Sequence, residues 1–194
     1  MSSTKRIAEL FPDLVSIGDS SLREKVAAVW NEAITIGCGG KGWTIEELRS
    51  IPFTLLAGDI NLTFIEHLNS CVKQCIVIEQ VLKETYGDRV PINHDVLVAG
   101  ALLADAGKPL EYDKDEHGQV IKGRFGEMLR HPFSGVALCY KHGLPPEVMH
   151  IVATHSHEGD NVQRSIESLI FHHADFIDFD IAKFLGAKAV KIPR

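Results

Sequence analysis

Apolar positions recur every three or four residues along most of the chain, which is the spacing of one face of an α-helix. The pattern Ser21-Leu-Arg-Glu24 is typical of a helix N-terminus, and the amphipathic run beyond it stops at Gly37. The same type of pattern begins at Thr44 and at Thr63. The helix after Thr63 is predicted to be long, continuing to a glycine at position 87.

Later helices are predicted from apolar spacing, prolines and glycines near 93–107, 125–129, 132–141, 145–155 and 165–185. The stretch 110–123 differs, because it holds six charged residues and a turn sequence, Asp115-Glu-His-Gly118. Its two flanks can pair as a short β-hairpin near 111–122. The sequence therefore predicts an all-α fold with one short hairpin.

No linker, repeat or low-complexity tract divides the chain. We expect a single domain spanning 1–194, in which 1–60 forms a helical N-terminal cap on a helical core at 63–186. A chain of 194 residues is long enough for one sizeable core.

Composition narrows the possible classes of protein. A hydrophobic fraction of 45% and a charged fraction of 24% are those of an ordinary globular protein. No apolar run approaches the roughly 20 residues of a membrane span, and the N-terminus lacks the apolar segment of a secretory signal. Four cysteines are too few for a disulfide framework, so we expect reduced thiols and a cytoplasmic location.

The net charge of −6 argues against a nucleic-acid surface, which usually carries a basic stripe. It does not exclude a small anionic substrate, because a metal centre supplies local positive charge. The oligomeric state is not predicted.

Imidazole and carboxylate side chains recur in a fixed order, each in or beside a predicted helix. They are His67, Asp105, His131, His155 and Asp175. Zn, Mn and Fe take such mixed ligands, and a helical bundle can aim them at one point. Asp105 ends a very apolar helix, where a bound cation would offset the cost of a buried carboxylate. We therefore expect one or two divalent transition-metal ions.

Four segments resemble one known family. Leu102-Leu-Ala-Asp-Ala-Gly-Lys108 is similar to the signature of the HD-domain metal-dependent phosphohydrolases, usually Leu-Leu-His-Asp-Ile-Gly-Lys. Arg130-His-Pro-Phe-Ser-Gly135, Ala153-Thr-His-Ser-His-Glu-Gly-Asp160 and Ala174-Asp175 resemble its later motifs. The resemblance implies an HD-domain helical bundle and makes 63–186 an HD-like metal-binding core.

The resemblance also implies roles for individual residues. His67, Asp105 and Asp175 would hold one metal, and Asp105 would bridge to a second metal held by His131 and His155. Two such ions can activate a bridging hydroxide and stabilise a phosphoryl oxygen at the same time.

Substrate contacts are predicted around this centre. Lys108 matches the family's lysine and would act in catalysis with Asp105 by neutralising charge on a bound phosphate. Arg124 and Arg130 are candidate anion contacts, and the hairpin that precedes them either covers the pocket or is a solvated loop. His157 is either a proton donor or substrate contact, or a solvated histidine.

One residue departs from the family pattern. Ala104 stands where the family has a histidine ligand, and a methyl group cannot bind a metal. The chain is then an engineered ligand deletion, a natural variant that keeps one metal beside His131 and His155, or a protein that has lost catalysis and kept binding.

Three functions remain open at this point. The first is a hydrolase that uses metal-activated hydroxide on a small phosphorylated or nucleotide-like compound. The second is a dinuclear-iron oxygenase of the same fold that cleaves C–C or C–P bonds. The third is a catalytically impaired binding protein.

Overall fold

The structure is a computed structural model that describes residues 3–56 and 60–189. Its helices, in chain order, are α1 (Ser3–Leu10), α2 (Ser20–Ile36), α3 (Ile45–Ser50), α4 (Phe64–Tyr86), α5 (His94–Leu103), α6 (Lys108–Glu111), α7 (Arg124–Met128), α8 (His131–Lys141), α9 (Pro146–Thr154) and α10 (Ile166–Ala189). Short 3₁₀ turns lie at Pro12–Ser16, Cys38–Gly40, Gly87–Arg89 and His157–Gly159. The predicted all-α class is confirmed.

The predicted hairpin is also present. Strand β1 (Tyr112–Lys114) pairs antiparallel with β2 (Val120–Lys122), with Tyr112 opposite Lys122. The turn between them is closed by Asp115, whose carboxylate accepts from the backbone N–H groups of His117 and Gln119.

Helix starts follow the predicted local chemistry at two of three places. Thr44 and Thr63 each accept a hydrogen bond from the backbone of a glutamate three residues on, which bonds back in a complete capping box. The prediction at Ser21 is wrong, because Asp19 caps α2 by accepting from the backbone N–H groups of Ser21 and Leu22.

Helix α5 lies at the centre of the bundle and packs against α2, α4, α9 and α10. All its residues from Val96 to Leu103 are buried. Gly100 lets α9 approach closely, since a Cβ there would lie 2.3 Å from the Ile151 Cδ1. The Trp30 indole donates to the Leu102 carbonyl at 2.9 Å, which fixes α2 against α5. The end of α5, where Asp105 follows, is therefore held rigidly.

The N-terminal segment shares its apolar core with the later helices. Phe11, Leu14 and Trp30 belong to the same buried cluster as Leu97 and Leu102. The division into a cap at 1–60 and a core at 63–186 stays a prediction, and 1–2, 57–59 and 190–194 lie outside the described residues. Within 3–56 and 60–189, no helix is long and apolar enough to cross a membrane.

Candidate metal centre

Five elements deliver the five predicted side chains to one place. His67 lies in the first turns of α4, and Asp105 lies in the turn after α5. His131 opens α8, His155 follows the last residue of α9, and Asp175 lies inside α10. All but Asp175 are buried, and Asp175 is half-buried.

Asp105 joins two groups of donor atoms. Its Oδ1 lies 3.2 Å from the His131 Nε2 and 3.7 Å from the His155 Nε2. Its Oδ2 lies 3.6 Å from the His67 Nε2, which is itself 3.1 Å from the Asp175 Oδ1. Each group of three can present one ligand atom per residue to a common point.

The three imidazoles share one orientation. Each presents Nε2 to the centre and turns Nδ1 outward to an oxygen acceptor. The acceptors are the Glu111 carboxylate for His131 at 2.7 Å, the Val152 carbonyl for His155 at 2.8 Å, and the Asp178 carboxylate for His67 at 3.4 Å. Partners of this kind fix the ring and its tautomer, as around metal-binding histidines in general.

On the His131 and His155 side of the centre, several acceptor atoms face each other. Their Nε2 atoms lie 3.2 Å apart, and both Nδ1 atoms face acceptors. In neutral rings with Nδ1 protonated, both Nε2 atoms carry lone pairs, which converge with the Asp105 carboxylate. A divalent cation or an added proton is needed among them, and the donor set suits Zn, Mn or Fe.

The surroundings shift the pKa values of His131 and His155 in opposite directions. Burial lowers the pKa of His131, which favours the neutral ring. Burial also opposes protonation of His155, but Asp105 outweighs it and raises that pKa. Asp105 is itself disfavoured by burial, and Lys108 with the histidines still holds its pKa well below the ordinary value. The carboxylate is therefore ionised and available to a cation.

The His67 side is arranged differently. Position 104, beside Asp105, is the buried methyl group of Ala104. The Lys108 Nζ lies 2.9 Å from the Asp105 Oδ2 as an ion pair without hydrogen-bonding angles. Burial opposes the charge on His67, but Asp105, Asp175 and Asp178 outweigh it and hold its pKa well above the ordinary value.

Cys71 lies behind His67, with Sγ 3.5 Å from the Nδ1. Burial raises the pKa of this thiol to about 11, so it is neutral and a weak partner. Cys71 and Cys75 of α4 are both free and buried.

A cavity of about 200 Å³ opens onto the centre. Its floor includes Asp105, His131, His155 and Asp175. Aromatic and cationic side chains form much of the wall, namely Phe53, Tyr112, Phe176, Phe179, Lys108, Lys122, Arg130 and His157. The cavity therefore offers both charge for an anion and flat apolar surface.

Three of the four predicted substrate contacts line this cavity. The Lys108 side chain is largely buried, whereas Arg130 and His157 are more exposed and pair with Glu158 at 2.9 Å and with Asp160 at 3.3 Å, respectively. Arg124 is exposed on α7 and is not among the lining residues.

Sequence reasoning missed two acidic residues that hold the imidazoles. The predicted hairpin near 111–122 includes Glu111, but neither Glu111 nor Asp178 was predicted to contact the centre. Glu111 directly precedes β1, and Asp178 lies one turn after Asp175 on α10. The spacing of Asp178 gave a signal, whereas nothing in the sequence connects Glu111 with His131.

One curated relative is the dihydroneopterin 2′,3′-cyclic phosphate phosphodiesterase of Methanocaldococcus jannaschii, which is 41% identical over 120 residues. The match covers 60% of this chain and 46% of the relative, so the chain spans about half the length of that protein. No solved structure matches the chain significantly. The HD domain family matches residues 75–180, which is more than half of the sequence. This chain therefore belongs to the HD domain family.

Proposed function

We propose that this protein is a metal-dependent phosphohydrolase that hydrolyses a small phosphate ester, most specifically a cyclic phosphodiester carrying a planar ring. The observation that carries the proposal is the convergence of Asp105, His131 and His155 on one point at the floor of the cavity. Membership of the HD domain family supports the same class of reaction.

The ion would be held by Asp105, His131 and His155. When bound, a divalent ion supplies Lewis acidity toward a phosphoryl oxygen. Glu111 and the Val152 carbonyl hold the two rings so that Nε2 of each faces the bound position. These contacts prepare the donors before substrate arrives, so no reorganisation is needed during the reaction.

Three cationic side chains would bind and orient the phosphate. Lys108 lies beside the floor, and Lys122 and Arg130 lie in the wall. Their charges would balance the charge that builds up on phosphoryl oxygens as the P–O bond breaks. His157 lies in the same wall, where its imidazole can donate a proton to the departing alkoxide.

The aromatic wall favours a substrate with a flat ring. Phe176 packs against the His172 ring at 4.5 Å and the His157 ring at 5.7 Å, which fixes its position. Phe53 stacks on His67 at 3.8 Å on the other side of the centre. A cavity of about 200 Å³ suits a small molecule rather than a polymer. The cyclic phosphate named for the archaeal relative is of this chemical type.

The dinuclear-iron oxygenase is less well supported. That chemistry needs two complete ion sites, and the His67 side has Ala104 where a ligand is expected. We therefore retain hydrolysis as the proposed reaction.

The test is hydrolysis of 2′,3′-cyclic nucleotides by the full chain loaded in turn with Mn²⁺, Fe²⁺ and Zn²⁺. We expect the Asp105→Ala variant to lose metal binding and at least about 100-fold in kcat/KM, because Asp105 contacts both donor groups. Asp88→Ala, which removes an exposed carboxylate on a 3₁₀ turn, is the matched control. Undiminished hydrolysis by Asp105→Ala would show that the centre lies elsewhere.

A further inference from the structure

The hairpin presents two donor groups to the cavity, and the rest of the described protein uses neither of them. Tyr112 and Lys122, called the hairpin pair below, stand opposite each other in β1 and β2. Directly opposite residues project from the same face of a strand pair, and both of these line the cavity. Within 3–56 and 60–189, neither the Tyr112 hydroxyl nor the Lys122 ammonium forms a hydrogen bond or an ion pair.

Tyr112 is the more informative member of the pair because it is buried. The residue is only 7% exposed, yet its hydroxyl oxygen retains accessible surface, so the hydroxyl faces the cavity. The charges of Lys108 and Asp105 both act on the pKa of Tyr112, which agrees with a hydroxyl close to the centre. A polar group at this depth has few waters around it, and a ligand in the cavity would supply the missing partner.

The chemistry of the hydroxyl and of its neighbours favours an anion as that partner. Burial raises the pKa of Tyr112, and the opposing effect of Lys108 is smaller, so the phenol stays protonated near neutral pH. A protonated phenol donates one hydrogen bond, and the ammonium groups of Lys108 and Lys122 favour a negatively charged acceptor in the same cavity. An oxygen of a phosphate group meets both requirements.

Contacts before and after Tyr112 hold it in place. The carboxylate of the preceding residue, Glu111, accepts from the His131 Nδ1 at 2.7 Å. Two residues further on, Lys114 pairs with Glu47 of α3 at 2.5 Å. The first strand of the hairpin is therefore fixed at both ends, and the Tyr112 hydroxyl is positioned before a substrate arrives.

We propose that Tyr112 is a substrate-binding residue of this centre, whose hydroxyl donates a hydrogen bond to a non-bridging oxygen of the substrate phosphate while Lys122 contacts the same phosphate from the opposite strand. The inference rests on the proposed function, which supplies the phosphate ester. Arg130 and His157 already pair with acidic side chains, whereas the hairpin pair gives up no contact within the described protein when phosphate binds.

The experiment is isothermal titration of the Mn²⁺-loaded full chain with inorganic phosphate, which measures binding whether or not the chain hydrolyses an ester. Tyr112→Phe keeps the ring and removes only the hydroxyl. We expect it to raise the Kd for phosphate about 10-fold, because a hydrogen bond to a charged group is lost. Lys122→Met, at an exposed position, should raise the Kd by a similar factor. Both variants should bind Mn²⁺ within twofold of the natural sequence, because neither residue is an ion donor.

Tyr140→Phe is the matched control, because Tyr140 is 77% exposed on α8 and its hydroxyl lies outside the cavity lining. A Kd for Tyr112→Phe within twofold of the natural sequence would overturn the inference, and so would a natural sequence that binds no phosphate. A parallel loss of Mn²⁺ affinity in Tyr112→Phe would overturn it too, because the residue would then support the centre instead of binding substrate. Failure of the proposed function would appear separately, as a chain that binds phosphate through Tyr112 but hydrolyses no cyclic nucleotide.

Discussion

Glu111 shows how one buried carboxylate prepares the centre at the scale of a single residue. Its Oε2 accepts from the His131 Nδ1 at 2.7 Å and also from the His131 backbone N–H at 3.2 Å. Burial opposes its charge, but His131 outweighs that effect and lowers the pKa of Glu111. The carboxylate therefore stays ionised and holds the ring from outside the ion position.

We expect Glu111→Gln to weaken Mn²⁺ binding about 10- to 100-fold, because an uncharged amide orients His131 less firmly and makes it a poorer donor. Isothermal titration of the chelator-stripped protein measures the change. Glu116→Gln, in the exposed turn of the hairpin, is the control and should bind as tightly as the natural sequence. An affinity for Glu111→Gln within twofold of the natural sequence would mean that His131 is oriented by other contacts.

Residues of the centre differ in how far the sequence alone could reveal them. The five predicted donors were identifiable because each stands in a segment with its own local pattern, and the structure brings all five together. Glu111 and Asp178 act across 20 and 111 positions of chain, through contacts that only packing creates. The spacing of Asp178 from Asp175 shows that both can lie on one face of α10, but no sequence pattern pairs Asp178 with His67 or Glu111 with His131.

At the scale of the element, the capping boxes explain why helix starts were predictable. The Thr63 and Glu66 side chains bond each other's backbone, and His67 follows one turn inside α4. The chemistry is confined to four consecutive residues, so the sequence contains all of it. At Ser21 the pattern misled, because α2 begins earlier, where Asp19 accepts from the backbone N–H groups of Ser21 and Leu22.

We expect Thr63→Ala to lower the free energy of unfolding by about 1 kcal/mol, since the helix loses the oxygen that accepts from the Glu66 backbone. Thr44→Ala removes the same oxygen from α3 and should cost a similar amount. Urea denaturation followed by circular dichroism gives both values. Thr63→Ser keeps the hydroxyl group and should recover most of the loss; a serine variant as unstable as the alanine variant would contradict this account.

Across the whole molecule, Asp95 ties the N-terminal segment to the central helix. Its two oxygens accept from the backbone N–H groups of Gly18 and Asp19, each at 2.8 Å. The Gly18 and Asp19 donors lower the pKa of Asp95. The contact joins the start of α5 to the start of α2, 76 positions away in sequence.

We expect the Asp95 hydrogen bonds to contribute to the free energy of unfolding by an amount that depends on pH. Because the folded pKa lies below the unfolded value of about 3.9, the stabilisation is complete above that value and is lost as pH falls through the folded pKa. We expect Asp95→Asn to be less stable than the natural sequence at pH 7 and the difference to shrink below about pH 4. Urea unfolding at pH 7, 5 and 3 tests this, with Asp88→Asn as the exposed control. A difference that stays constant over that range would assign the effect of Asp95→Asn to something other than its charge.

The packing of the helices against one another was harder to predict from the sequence than the individual helices. The unbroken apolar composition of α5 indicated burial on all sides, and the structure places it between four other helices. Which helices surround it depends on shape, as where Gly100 admits Ile151. Local signals specify where a helix begins, but neighbours are selected by the fit between distant surfaces.

The donors of the proposed ion come from positions 105, 131 and 155, on three separate elements. No partly formed version of the bundle, in which one of these elements is undocked, brings all three within reach of a common point. An ion that needs all three would therefore recognise only the finished molecule, and its binding energy would add to that state alone. The metal would then bind only after the last of these elements has docked, and it would stabilise the folded state without starting folding. The rate of metal binding would report when that docking occurs.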